Sequence, residues 1–218
     1  MQSGDFRRAR SPQAKQAREE AILSAARELA TQRGIREITL TDIAVAVGMH
    51  KSAMLRYFET REEIFLRLTA DGWREWSAAL RADLDARHHA DAEIVASVIG
   101  ATLATRGQFC DLLAQAPMNL ERNVSPDAVR RFKYVTHAEL DAIVESVRRL
   151  LPALSVENGV DLIATSTALA GAFWQIATPG PEILELYRDD PRLGHALVDV
   201  ESRLRRILAA LITGLLAD

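Results

Sequence analysis

From about residue 13 to the end of the chain, apolar side chains recur every three or four residues, and no segment alternates apolar with polar residues for long. That period lays one apolar stripe along a helix but gives a strand no consistently apolar face, so nearly the whole chain is committed to helix packed on helix. The one β-branched cluster, Ile35 to Leu40, is short and interrupted by Arg36 and Glu37. A chain of 218 residues is long enough for a head of about 60 residues and a body of roughly 150, each able to bury a core.

Start and stop residues divide the stripe into elements. The first helix is expected from about Pro12 to Arg33, with Ile22, Ala26, Leu29 and Ala30 on one face and Gly34 as its stop. Thr41 reads as the N-cap of a short second helix over Asp42 to Val47, ended by Gly48; a third short helix follows from about His50 to Tyr57. Arg61, Glu62 and Glu63 then open a long helix through Phe65, Leu68, Trp73, Trp76, Leu80 and Leu84. About 27 residues at 1.5 Å each make this a rod near 40 Å. Further helices are expected at about 91–106, 109–116, 125–151, 156–177 and 196–216. Ser125-Pro126-Asp127 is a strong helix start, and Thr178-Pro179-Gly180-Pro181 is a clear break. The stretch EILELYRDD before Pro191 can form one more short helix. The expected fold is all-α with about nine or ten helices: residues 1–11 as a flexible basic tail, 12–60 as a three-helix head and 61–218 as a helical body.

Composition removes several function classes. At 48% apolar and 26% charged residues, the balance is that of a globular protein. No uninterrupted apolar run approaches the ~20 residues of a membrane span, and MQSGDFRRARSPQ lacks the apolar centre of a signal peptide, so a cytoplasmic protein with no membrane partner is expected. The single cysteine, Cys110, cannot form an internal disulfide or a thiolate zinc site alone and reads as a small buried residue. Asp85, His88, His89 and Asp91 are metal-ligand types, but adjacent histidines point to different sides and the group reads as a solvated turn. His137 and His195 are isolated, and no phosphate loop, serine elbow or HExxH arrangement occurs, so no metal, cofactor or catalytic centre is expected.

The net charge of −3 conceals an asymmetry. Residues 1–70 carry twelve Lys/Arg against nine Asp/Glu, whereas residues 71–218 carry fifteen against twenty-one. The positive end is the one suited to phosphates. It also holds the most informative segment, TLTDIAVAVGMHKSAMLRYFETR over residues 39–61. Two helices crossing steeply over a short turn need a small residue at the crossing, a glycine in the turn and apolar anchors inside. Ala44, Gly48, and Ile43, Val47, Met49, Met54, Tyr57 and Phe58 supply them. The outer face of the third helix is then His50, Lys51, Ser52, Ala53, Leu55 and Arg56, a short helix whose side chains could enter a major groove.

From Ala21 to Leu68 the chain resembles the amino-terminal domain of the TetR family, most closely in Thr41-Asp42-Ile43-Ala44, Gly48, Lys51 to Phe58 and Arg61-Glu62-Glu63-Ile64. The resemblance implies a homodimer on a palindromic operator, usually a repressor, released when a small molecule enters the body. It implies that Thr41, Lys51, Tyr57 and Arg61 hold phosphates, with arginine at 61 where the family usually has lysine. His50, Ser52, Ala53, Leu55 and Arg56 would face base edges or sugars. His50, Ser52, Leu55 and Arg56 depart from the family's commonest residues, which bears on specificity: leucine offers only an apolar contact, and Arg56 either pairs with guanine or grips a phosphate.

In the body, Ala164, Ala168, Gly171 and Ala172 form a stripe of small residues, and the last helix carries Leu197, Val200, Leu204, Ile207, Leu208, Leu211, Ile212 and Leu215, more than one intramolecular face needs. Ala164, Ala168, Gly171, Ala172, Leu204, Ile207, Leu208 and Leu211 are therefore the expected dimer contacts. Trp73, Trp76, Phe109, Met118, Phe132 and Trp174 are the large apolar side chains from which a pocket for an apolar or aromatic effector would be built. The rival reading is a helical small-molecule-binding or enzymatic protein whose head contacts another protein.

Overall fold

The computed structural model describes residues 12–196 and 198–217, so the basic tail of residues 1–11 and Leu197 lie outside the described residues. Among those described, ten α-helices account for the fold and no strand occurs. The head consists of α1 (Pro12–Arg33), a 3-10 turn at Ile35–Glu37, α2 (Leu40–Ala46) and α3 (Lys51–Met54). The body follows with α4 (Arg61–Asp85), α5 (Ala92–Ala104), α6 (Gly107–Gln115), α7 (Pro126–Leu150), α8 (Val156–Ala177), α9 (Pro181–Asp189) and α10 (Val200–Leu215). A π turn at Ala116–Leu120 and a 3-10 turn at Glu121–Asn123 lead into α7.

The head folds around Ile22, Ala26, Ile43 and Met54, all fully enclosed. Gly48 takes φ +63°, a left-handed conformation that lets the chain reverse between α2 and α3. The cap of α2 lies two residues earlier than expected: Thr39, not Thr41, is its N-cap. Both threonines precede the apolar run, but Thr39 has an acid three residues on. Its Oγ1 accepts from Asp42 N–H at 3.1 Å, and Asp42 Oδ2 accepts from Thr39 N–H at 2.7 Å, closing a reciprocal capping box. The third helix is shorter than expected, since Leu55 to Tyr57 continue only as a turn. The long rod is 25 residues, or about 38 Å at 1.5 Å per residue.

Trp76 sits at the centre of the body with no exposed surface. Its ring centroid lies 5.5 Å from Trp73 and 6.0 Å from Phe109, and Trp73 and Phe109 are 5.9 Å apart. The indole N–H of Trp76 donates to Thr102 Oγ1 at 3.1 Å, so α4 and α5 are joined without an orphaned polar atom. Gly72 permits this packing, because a Cβ there would overlap the Phe109 ring. Cys110 is also enclosed; burial pushes its thiol up to about 12, and Sγ–H donates to the Leu103 carbonyl at 3.4 Å. The acids around His88 and His89 have structural tasks: Asp85 pairs with Arg149 at 2.6 Å, and Asp91 caps α5 by accepting from Ile94 N–H at 2.9 Å.

Among the described residues, α8 is the one helix long and apolar enough to cross a membrane by length and composition. It packs instead on α6, α7 and α10, burying Leu162, Ile163 and Ala170. These packings overturn part of the expected dimer face. Gly171 is buried against α6, where an added Cβ would stand 2.9 Å from Ala114 N. Leu204 and Leu208 are fully buried in the chain's own core, and α10 lies so close on α5 that a Cβ at Gly100 would meet the Glu201 carbonyl oxygen at 3.3 Å. Met118 belongs to no interior: it is 74% exposed on the π turn.

Gly171→Val should destabilise the subunit by roughly 1–3 kcal/mol, because overpacking against a backbone outweighs the few tenths recovered in helix propensity. Urea unfolding at two protein concentrations checks this. A loss that depends on concentration would return Gly171 to the contact between subunits.

Candidate nucleic-acid interface and effector cavity

The open side of α2 and α3 is polar and basic. Thr41, His50, Lys51, Ser52 and Arg56 are exposed, and Leu55 is 52% exposed, whereas Ala53 and Tyr57 are half-buried on the flank facing the head's core. His50 is the N-cap of α3: its Nδ1 lies 2.9 Å from Ser52 Oγ and 3.4 Å from Ser52 N. The imidazole is thereby held over the first turn of α3, so capping and surface display are one arrangement. Two residues were not anticipated on this side. Val45 is 73% exposed on α2, the side of that helix opposite Ile43, Ala44 and Val47; its offset from that stripe is the signal that could have found it. Lys15, near the start of α1, lines a cavity of 390 Å³ with Arg56 and Tyr57, which adds a cation that sequence distance had hidden.

Arg61 is placed differently from the expected phosphate contact. Its Nε–H donates to the carbonyl of Ile38, an Nη2–H to the carbonyl of Ile35, and an Nη1–H to Glu62 Oε1 at 2.9 Å, while the guanidinium lies 4.8 Å from the centre of the Phe65 ring. Three of its N–H groups and one face are engaged within the chain, and the side chain is 15% exposed. The turn before α2 is thus fastened to the first turn of α4. Two further ties reach the same region from α6. Asp111 accepts from Ile35 N–H at 3.3 Å and from Gln175 of α8 at 2.8 Å, and Gln108 donates to the Arg27 carbonyl of α1 at 2.7 Å.

The six large side chains expected to form one pocket are dispersed. Trp73, Trp76 and Phe109 fill the centre of the body against one another. Trp174 covers Gly107 and borders a cavity of 570 Å³ between the head and α6 and α8, lined also by Ile35, Arg33, Asp111 and Gln175. Phe132 lines a different cavity of 310 Å³ between α4 and α7, with Phe58, Leu66, Ala70, Ala128 and Val135 as its apolar walls. Glu63, Arg67, Arg74, Arg131 and Tyr134 complete it. A cavity of this size with apolar walls and a few convergent polar groups has the character of a small-molecule site.

Residues 22–68 match the family model described as bacterial regulatory proteins, tetR family, and residues 70–218 match the tetracyclin repressor-like C-terminal domain. The chain belongs to the tetracycline-repressor family. No curated protein matches the sequence. Among solved structures, this TetR-family chain is similar in fold to a TetR-family regulator of Pectobacterium atrosepticum (13% identity, 94% of this chain and 95% of that one, TM-score 0.57). It is also similar to Thermus thermophilus FadR, a repressor solved with lauroyl-CoA (22% identity, 83% and 95%, TM-score 0.55), and to Bacillus halodurans FadR, a fatty acid degradation regulator (12% identity, 94% and 96%, TM-score 0.54). The chain is therefore a DNA-binding regulator, and α2 with α3 is its helix-turn-helix.

The integrity of that helix-turn-helix depends on a titratable cap. Hydrogen bonds from the Thr39 hydroxyl and backbone N–H, and then the charge of Arg33, hold the Asp42 carboxyl below the usual carboxylate range. Because the folded group titrates below the unfolded one, its stabilisation is complete above the ordinary carboxylate pKa and is lost as pH falls through the depressed folded value. Thr39→Ala should cost the head about 1 kcal/mol and weaken this acid-side dependence, since the backbone N–H of residue 39 and the charge of Arg33 remain. Thermal unfolding followed between pH 3 and pH 7 checks both; equal pH profiles for the two proteins would show that the cap does not govern α2.

Proposed function

We propose that the protein is a homodimeric, effector-released repressor that sets two helix-turn-helix heads on a palindromic operator. The observation that carries this reading is the continuity of α4: its first turn holds the head through Arg61, and its next turns wall the cavity beside α7. A molecule wedged between α4 and α7 tilts the rod and displaces the head. In a dimer the two α3 helices must stand about 34 Å apart, one turn of duplex or a multiple of it, so a small tilt costs one head its register. Release requires the effector to bind the misaligned state better than the aligned one.

The dimer face is drawn from α8 and α10, corrected for burial. Ala164, Ala168 and Ala172 are exposed at four-residue spacing on α8, followed by Ile176 at 45% exposure. Ile207, Leu211 and Leu215 of α10 are half-buried, and Arg203 stacks 5.5 Å from the Phe173 ring, joining the two helices on that side. Small residues let the same face of a second copy approach closely about a twofold axis. Ala168→Glu should convert the dimer to monomer in sedimentation and weaken operator binding roughly 100-fold or more, the advantage of two linked sites. A variant that stays dimeric would place the contact elsewhere.

On the DNA side, Lys51 and Arg56 hold phosphates, with Arg56 assisted by its neighbour Lys15, while His50, Ser52 and Leu55 face the bases. Thr41 and Tyr57 flank them on the backbone. Arg56→Ala should weaken cognate and unrelated DNA alike and shallow the dependence of log K on log salt by about one. A loss confined to the cognate operator, found by footprinting the DNA flanking the gene and then by salt titration, would instead make Arg56 a base reader.

A further inference from the structure

We propose that the cavity between α4 and α7 binds an amphiphile with one short apolar chain and an anionic end, and that Arg131 exchanges Glu63 for that anion. Its regulatory consequence rests on the effector reading above; its ligand chemistry does not. The inner wall is wholly apolar, formed by Phe58, Leu66, Ala70, Phe132 and Val135. Arg67, Arg74, Arg131, Glu63 and Tyr134 supply the polar groups of the cavity. Arg74 is paired with Asp71 at 2.8 Å and Arg131 with Glu63 at 2.9 Å, while Arg67 makes no ion pair or hydrogen bond to any other described residue. A neutral end offers exposed Arg67 no ion-pair partner, and a cationic end would meet three guanidinium groups. A carboxylate or phosphate matches the planar donor fork of arginine. The volume of 310 Å³ holds roughly ten groups at ~30 Å³ each, so the chain is of medium length.

The exchange has a direction. Glu63 is only 14% exposed while Arg131 is 61% exposed, so the arginine can turn to a ligand and the glutamate cannot follow it. Glu63 Oε2 also accepts from the Glu59 N–H at 2.7 Å, and Glu63 N–H donates to Thr60 Oγ1 at 3.1 Å, both in the link between α3 and α4. An anion on Arg131 therefore leaves Glu63 without its ion pair in the joint that sets the head, with only the Glu59 N–H still bonded to the carboxylate, and the chain of the ligand presses on Phe58, which that same joint carries.

The test is calorimetry on the full-length protein with decanoate, decyl phosphate, decanol and decylamine, each below its micelle concentration. Decanoate and decyl phosphate should bind at least about tenfold tighter than decanol (1.4 kcal/mol per decade), and decylamine should not bind. Arg67→Gln and Arg131→Gln should each reduce the advantage of the anions, and the two together should erase it, while decanol binding stays unchanged. Val135→Trp, at a half-buried wall position, should abolish binding of all of them with the unfolding transition retained. Equal affinities for the four heads, or decanoate binding untouched by these substitutions, would overturn the proposal. Anion-selective binding at this cavity that leaves the operator complex intact upholds the ligand class and removes the effector reading. An unrelated compound that releases the operator while no decyl anion binds does the reverse.

Discussion

The guanidinium of Arg61 is the point through which the rest of the molecule becomes a regulator. A cation at the first residue of a helix opposes the helix dipole, and here that cost is offset by Glu62 and Glu63 beside it and by two carbonyls of the head. Lysine, with one compact ammonium, could not span the Ile35 and Ile38 carbonyls and Glu62 while lying flat on Phe65. The result is a head that has little freedom about α4. On the proposed mechanism, a change in the orientation of α4 reaches the helix-turn-helix through this joint.

That rigidity makes the location of free space in the body decisive. The middle of the body is closed, because Trp73 meets Trp76 and Phe109 edge to face, Trp76 and Phe109 lie tilted against each other, and Thr102 satisfies the one indole N–H that is fully buried. Space remains instead close to the head, between α4 and α7. One wall there, Phe58, belongs to the link that Arg61 and Glu63 organise. On the proposed mechanism a ligand at this position acts on a short lever, with the middle of α4, anchored through Trp73 and Trp76 against Phe109 of α6, as the pivot about which its first turns tilt. Two-state behaviour of this kind follows from packed interfaces that deform in steps rather than continuously.

Much of this was legible in the residues. The 3.6-residue period identified the helices, Gly48 marked the tight turn of the head, and the ninth short helix emerged from EILELYRDD as α9. Errors arose where two residues offered the same local chemistry. Thr39 and Thr41 can each cap a helix, and only the acid at position 42 favoured the former. Leu204 and Ile207 lie on adjacent parts of one stripe, yet Leu204 is buried against its own chain and Ile207 is not. Met118 and Trp76 are equally apolar by type, and one is largely solvent-exposed while the other is enclosed.

By themselves, the order and spacing of side chains determined an all-helical chain with a basic helix-turn-helix at one end, because helix periodicity, capping and turn chemistry act over four or five residues. Only the tertiary structure decided which apolar faces meet within one subunit, that Arg61 fastens the head to α4, and that Lys15 and Arg56 line one cavity. A stripe specifies that a face must be covered but not by what. Its partner lies tens of residues away, and the choice among possible partners depends on shape and on how closely Gly72, Gly100 and Gly171 let the helices approach.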